Sequence, residues 1–438
     1  MPKPRAGQDI PTPDLGRTAR VVGPVTNVHT DQMPHQRNAR GELGRAMFHW
    51  YTNTVSPDPI GRIASPLHFA DKRNLVGGSV DITGVINPSR TVVSDPAAMS
   101  RHIKRVGRAF GAELVGIARN HPSFLYAGNE YVGDKDDRSV TSDRRAAMEE
   151  LDRDEIVRRY PYLIVAPFPW PYELGLAHRH HIGDAAYHFA NVRGKLVLQA
   201  LEGYIHELGY AAIPGAANPQ AAALAAGVGE LGRNGMLITE RYGARVILHV
   251  AIMTDLPLEP DRPVDLAVDD VCKVCRKCAT TCPTNSIPFG GKVVHNGVEK
   301  YKINWESCYR LRPPMVTNWG SCLTCVTSCP YTKPDSWWKT LAIRALRRVP
   351  IPARPPIIRF LLWVNDRLWP DIERRRVRWL GYDSGTKPGE KACTVAGCTA
   401  AHADTTMPGS GKLGFYAPLK ENTNRFRRAQ QARHQTTT

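Results

Sequence analysis

Acidic residues are scarce in this 438-residue chain: 41 Asp and Glu stand against 58 Lys and Arg, a formal net charge of +17. No stretch approaches eighteen consecutive apolar residues, which excludes an expected transmembrane helix. The amino terminus, MPKPRAGQDIPTPDLGRTARVVGPV, lacks both the charged-then-apolar pattern of a secretory signal and a twin-arginine motif. Export is therefore unsupported, and the cytoplasm is the expected location. No C-x-x-C-H site for haem attachment occurs and no dinucleotide-binding unit is expected. No recognised nucleic-acid-binding motif accompanies the positive charge, so nucleic acid is not an expected partner.

Cysteine, by contrast, is concentrated. Seven of the ten cysteines fall in VCKVCRKCATTCP and SCLTCVTSCP. Cys272, Cys275, Cys278 and Cys282 follow C-x2-C-x2-C-x3-C-P, the run that holds cubane clusters in two-cluster ferredoxins. Three cysteines on a tight loop reach the irons of one cube, and the fourth points to a different one. Cys322, Cys325 and Cys329 repeat the run one ligand short, and Cys308 in NWESCYR supplies the missing sulfur. Two [4Fe–4S] clusters follow, one on Cys272, Cys275, Cys278 and Cys329, the other on Cys282, Cys308, Cys322 and Cys325. The competing reading is a pair of zinc sites, which explains neither the third cysteine at x2 nor the prolines after Cys282 and Cys329. Cys393 and Cys398 fit neither cube and read as ordinary thiols.

The length leaves room for two domains and extensions. Residues 1–95 are rich in Pro, Gly and polar residues and read as an N-terminal extension. Over 96–265, helical spacing (Met99, Ile103, Val106, Phe110) alternates with buried strands such as YLIVAPF, which predicts an α/β (α+β) domain. Residues 266–335 form the ferredoxin-like two-cluster segment, and 336–438 form a basic amphipathic carboxy-terminal region. Between Lys339 and Arg378, eleven Lys and Arg face three acids. Such a stretch suits peripheral contact with an anionic membrane face or docking of an acidic partner. The alternative is that its apolar face packs on the protein's own core.

The order GELGRNGMLITERYGARV, MTDLPL, VCKVCRKCATTCP, NWESCYR, CLTCVTSCPYTKP resembles that of the corrinoid-dependent reductive dehalogenases, over roughly residues 95–345. The resemblance implies a nitroreductase-like α/β domain holding cobalamin, with two clusters feeding it electrons singly. The sequence also lacks the D-x-H-x-x-G run by which many cobalamin proteins ligate cobalt through histidine, consistent with a corrinoid held without one. Gly227, Gly229, Gly232, Gly235 and Gly243 would let backbone amides approach the corrin, or else serve an ordinary tight connection.

The resemblance further implies an organohalide substrate, aromatic or vinylic, and a tyrosine proton donor with a basic partner. Tyr172 is matched to the donor and Arg233 to the partner, with Tyr187 as the other tyrosine candidate and Asn218 orienting substrate or corrin. A fused reductase module is lacking, so electrons are expected from a separate ferredoxin, flavodoxin or reductase. Epoxyqueuosine reductase, a tRNA-modifying relative, and a non-catalytic corrinoid or electron carrier are the competing readings.

Overall fold

The computed structural model describes residues 10–29, 86–126, 152–176, 181–214, 217–310 and 322–369, with residues 32, 37, 42, 378–379 and 382–383. Cys393, Cys398, most of the N-terminal extension and most of the basic region beyond residue 369 lie outside the described residues. A two-residue strand β1 (Arg20–Val21) precedes helix α1 (Pro96–Ala109), which Asp95 caps by accepting the Ala97 N–H at 2.8 Å. Strand β2 (Gly116–Arg119), helix α2 (Arg153–Arg159), strand β3 (Tyr162–Pro169), the short helix α3 (Tyr172–Gly175) and the long helix α4 (His181–Glu207) follow. Then come β4 (Ala212–Pro214), α5 (Pro219–Ala225), the hairpin β5 (Glu230–Leu231) and β6 (Leu237–Ile238), and β7 (Val246–Thr254).

Strands β2, β3, β7 and β4 form one sheet in that order, antiparallel at every pairing. Strand β3 is buried along its whole length because both faces are covered. Tyr162, Ile164, Ala166 and Phe168 enter the core beneath α1 and α4. Leu163 and Val165 enter the core beneath α2 and α5. A strand buried on both sides reads as a continuous apolar run, which is why YLIVAPF shows no alternation. The register shifts between Val165 and Pro167, where proline has no N–H to offer the ladder.

The cysteine-bearing segment is built from short pieces: α6 (Val268–Val274), α7 (Lys277–Thr280), the hairpin β8 (Val293–His295) and β9 (Val298–Lys300), α8 (Trp305–Arg310) and α9 (Thr324–Thr327). Strand β1 adds to β9 and ties the amino-terminal segment to this part. Helices α10 (Trp337–Arg348) and α11 (Arg354–Leu368) follow. The three parts meet at Asp270. Arg17 donates to its two oxygens at 3.0 and 3.1 Å, and Arg354 donates to Oδ2 as well. Burial pushes the Asp270 carboxyl up, but the bonds from Arg17 and Arg354 outweigh it and hold it below its ordinary value.

Candidate metal centre

Cys272 lies in α6, Cys275 caps that helix, Cys278 lies in α7, and Cys329 directly precedes the turn Pro330–Thr332. The fold brings these four sulfurs into one another's electrostatic range. Burial pushes the Cys272 thiol up to about 12, and the negative charge of Cys329 and Cys275 adds to it. Burial likewise raises Cys329 to about 11, with Cys275 adding, and lifts Cys278 and Cys275. Four thiolates so poorly hydrated are costly unless cationic charge sits among them, which iron supplies. Donors stand ready for the sulfurs. The Arg233 N–H reaches Cys272 Sγ at 3.4 Å, the Lys277 N–H reaches Cys275, and the Tyr331 N–H and Thr332 hydroxyl reach Cys329. Among the described residues, no three His, Cys, Asp or Glu side chains converge as a single metal ion requires.

The segments that carry the other four cysteines are tied together through residues next to Cys282. The Cys282 Sγ accepts from the Ser286 N–H at 3.3 Å. The Ser286 hydroxyl meets that of Ser307 at 2.7 Å and its carbonyl accepts from Asn304, fastening the Cys282 loop to the helix that carries Cys308. Cys278, Cys282 and Cys325 share a small core with Ala279, Ile287 and Ile303. Cys322 Sγ lies 3.3 Å from the Thr324 hydroxyl at the start of α9, which packs on α7. Cys325 also contributes to the field on Cys278, so the two sets are neighbours.

Arg233 has a different role from the one the resemblance implies. Its side chain is 2% exposed, and all five donors are used. Nε and Nη2 donate to the Cys272 carbonyl at 3.1 and 2.8 Å, Nη1 to the Pro288 and Gly290 carbonyls at 2.8 and 2.7 Å, and Nη2 to the Tyr301 hydroxyl at 3.3 Å. No donor remains for a phenolate. The arginine clamps the cluster segment to the β5–β6 hairpin, with Tyr301 beneath its guanidinium at 4.2 Å.

The glycines also have internal reasons. A Cβ on Gly227 would meet the Arg262 carbonyl, on Gly229 the Ile238 carbonyl, and on Gly243 the Tyr331 carbonyl. On Gly232 it would meet Asn234, and on Gly235 Ile303. Protein atoms fill each space where a Cβ would stand, which accounts for glycine at these five positions as tight connections. Gly227, Gly229 and Gly232 do carry G-x-G-x-x-G spacing, which the sequence reading passes over. Here it joins α5 to a two-residue strand and does not open a helix after a strand, so it is no dinucleotide fingerprint.

Tyr172 stands at the start of α3, two residues after Trp170, and is 5% exposed. Arg245, just before β7, is the basic residue that meets the end of β3. It donates to the Trp170 carbonyl at 2.6 Å and to Asp335 at 2.5 Å, bridging the end of β3 to the segment after Cys329. No motif marks it; only the pairing of β3 with β7 brings it there. Tyr187 lies in α4, partly buried against the same core, with its ring edge-on to His188. Asn218 caps α5, its Oδ1 accepting the Gln220 and Ala221 N–H groups at 3.0 and 3.2 Å, and lines a cavity with Ser123, Tyr126 and Gln220.

Residues 271–333 match the family model described as a 4Fe-4S dicluster domain. The tetrachloroethene reductive dehalogenase of Sulfurospirillum multivorans is 29% identical over 267 residues, covering 56% of this chain and 52% of the relative. The epoxyqueuosine reductase of Listeria monocytogenes is 34% identical over 110 residues, 25% of this chain and 28% of the relative. The chain thus spans about half the length of the first of these curated relatives and less of the second. A solved reductive dehalogenase, described with a mechanism for B12-dependent dehalogenation, superposes with a TM-score of 0.61 at 25% identity, covering 78% of this chain and 46% of that one. A catabolic reductive dehalogenase in complex with 3-bromo-4-hydroxybenzoic acid gives 0.63 at 24% identity, covering 85% and 51%.

Proposed function

We propose that this chain, a homologue of the tetrachloroethene reductive dehalogenases, is a cobalamin- and iron–sulfur-dependent oxidoreductase that replaces a halogen of an organohalide by hydrogen. The observation that carries the reading is the meeting of Cys272, Cys275, Cys278 and Cys329 beside a hairpin of the α/β core, held there by Arg233. Clusters held by these cysteines would supply electrons next to that core. The balance is one organohalide, two electrons and one proton in, and the same molecule with hydrogen in place of one halogen, plus one halide, out.

Cys272, Cys275, Cys278 and Cys329 would hold one [4Fe–4S] cube and Cys282, Cys308, Cys322 and Cys325 the other. Cobalamin, when bound, supplies the cobalt centre at which the carbon–halogen bond gives way. Asn218, with one oxygen spent as a helix cap, keeps an amide to orient substrate or corrin at the cavity it lines. Tyr172 would give its phenolic proton to the carbon that loses halide, shielded from bulk water by its burial. Arg245 would fix the strand end behind it through the Trp170 carbonyl. The substrate class is a halogenated alkene or arene. Electrons would come from a separate ferredoxin, flavodoxin or reductase, and the reducing cytoplasm, where thiols stay reduced, is the proposed location.

Anaerobic expression with cobalamin, followed by halide release from chloroethenes and halophenols with a strong chemical reductant, tests the reading. Reductant-dependent halide release is expected; none from any member of either class would overturn it. The epoxyqueuosine reductase reading rests on similarity over a quarter of the chain. It predicts turnover of epoxyqueuosine-modified tRNA instead.

A further inference from the structure

Helices α10 and α11 turn one side inward over the cysteine-bearing segment. Ile343 and Leu346 of α10 and Ile358 and Leu362 of α11 line one apolar cavity with Val271 and Pro330, neighbours of Cys272 and Cys329. Their opposite sides are unusual for a water-facing surface. Trp337 is 78% exposed, Phe360 61% and Trp363 55%, and Leu341, Ile351, Ile357 and Leu368 are exposed as well. No other described part of the chain exposes so many large apolar side chains so close together in sequence.

Their arrangement is regular. On α10, Trp337, Leu341, Arg344 and Arg348 recur at i, i+4, i+7 and i+11 and share one outer line. On α11, Phe360, Trp363 and Arg367 recur at i, i+3 and i+7; the rings of Phe360 and Trp363 stack at 6.1 Å, and the Arg367 guanidinium lies 5.0 Å from the Trp363 ring. Each line begins with bulky apolar groups and ends in arginine. Between Trp337 and Leu368 the exposed arginines are Arg344, Arg347, Arg348, Arg359 and Arg367; Arg344 is paired with Glu240, and the single acid within the span, Asp366, is paired with Lys277.

We infer that this face is a docking surface for an anionic lipid bilayer, on which α10 and α11 lie in the plane of the interface. Aromatic rings enter at headgroup depth while arginines keep their guanidinium groups at lipid phosphates with their stems along the apolar layer. No helix among the described residues is long and apolar enough to cross a membrane, so the contact is peripheral. Exposed rings and arginines also occur at protein interfaces; two successive helices that carry both, with one acid in the span, fit the aromatic and basic belt of an interfacial helix better, and an acidic protein is left as the other outcome of the test. The inference stands on this face alone and does not depend on the dehalogenase reading.

The test is flotation of the full, cluster-loaded chain with phosphatidylcholine vesicles containing or lacking phosphatidylglycerol. Binding to the anionic vesicles at low salt is expected, weakened but not abolished by high salt, because the apolar part is not screened. The variant Trp337→Ala/Phe360→Ala/Trp363→Ala should lower the vesicle-bound fraction by about tenfold. Its iron content and melting should not change, since the three side chains face outward. Arg348→Glu/Arg367→Glu, which keeps every ring, should also release the chain at low salt. Absence from anionic vesicles at low salt would overturn the inference and leave an acidic protein as the partner. Flotation undiminished by both variants would also overturn it, by moving the contact elsewhere.

Discussion

Arg233 holds Cys272 at both of its ends: the backbone N–H points at the sulfur from 3.4 Å, and the guanidinium donates to the carbonyl at 2.8 and 3.1 Å. One residue thereby fixes a cluster ligand's position and its electronic surroundings. The two effects are separable, because the sulfur's donor is main chain and survives replacement of the side chain. Arg233→Ala should leave the Cys272, Pro288 and Gly290 carbonyls without their shared donor, at a cost of about 1–3 kcal/mol. Arg233→Lys should recover little, since one ammonium cannot span three carbonyls. Thermal melting and iron content of the anaerobically purified variants check this. An Arg233→Ala protein as stable and iron-rich as the wild type would remove the clamp.

The pairing of sulfurs across the two runs predicts about eight irons per chain, and Cys308→Ala should lose roughly half of them. The cube on Cys272, Cys275, Cys278 and Cys329 should survive, because its four ligands gather independently of Cys308. EPR of the reduced variant should show one cluster signal where the wild type shows two interacting ones. Replacing Cys393 and Cys398 should leave iron unchanged. Full iron in Cys308→Ala, or iron loss in the Cys393 and Cys398 variant, would break the assignment.

Gly243 has φ +58°, and a Cβ there would run into the Tyr331 carbonyl, two residues beyond Cys329. Gly243→Ala therefore combines a left-handed backbone with a collision against the turn that follows a cluster ligand. A loss of about 2 kcal/mol or more is expected, with iron loosened from the cube that uses Cys329. Gly203, inside α4 with nothing near its Cβ position, is the control: Gly203→Ala should be neutral or stabilising.

The elements that came through in the sequence are those set by local chemistry. Asp95 before Pro96 caps α1; of the spaced apolar residues Ile103 is buried and Met99 and Val106 partly so, while Phe110 falls just past the helix and is exposed. The run Tyr162–Phe168 becomes a strand because two helical layers bury it, which composition alone signals. Alternation of helices and strands does not disclose pairing direction, and the sheet is antiparallel throughout. The cysteine spacing carries geometry because each ligand must reach one metal centre from a short loop. A single arginine carries none. Arg233 looks the same in sequence whether it faces a phenolate or three carbonyls, and its partners at Pro288 and Gly290 are 55 and 57 positions away. Arg17 and Asp270, 253 positions apart, leave no local trace at all. A glycine likewise announces close approach without saying of what.

Tyr172 is the residue on which the proposed proton transfer rests. Tyr172→Phe removes one oxygen from a buried ring at the head of α3 and leaves the packing against Trp170 and the core. Both clusters and cobalamin content should be unchanged, and EPR should match the wild type. Halide release should fall by about 10²-fold or more. Undiminished turnover would move the role to Tyr187 or to water, and a Tyr187→Phe variant then decides between them. Loss of cobalamin along with activity would mark Tyr172 as structural.

Glu230 gives the chain a pH dependence of its own. The residue is 1% exposed at the start of β5; Oε2 accepts the Leu266 and Val268 N–H groups at 2.6 and 3.1 Å, while Oε1 is buried with no hydrogen-bond partner among the described residues. Burial pushes its carboxyl from 4.5 up to about 7, and the two N–H donors only partly offset that. In the unfolded chain the proton leaves near the ordinary value, so between about pH 4.5 and 7 the folded protein binds the extra proton. Stability must then fall as pH rises through that window and level off above it. A shift of this size corresponds to at most roughly 3 kcal/mol. Glu230→Gln keeps a carbonyl oxygen for Leu266 and Val268 but cannot ionise. It should therefore be more stable than the wild type at about pH 8 and lose that advantage towards about pH 5. Denaturant midpoints of both proteins at the two pH values give the double difference, in which acid effects on the clusters cancel. Parallel pH profiles for the two proteins would show that Glu230 ionises as freely folded as unfolded.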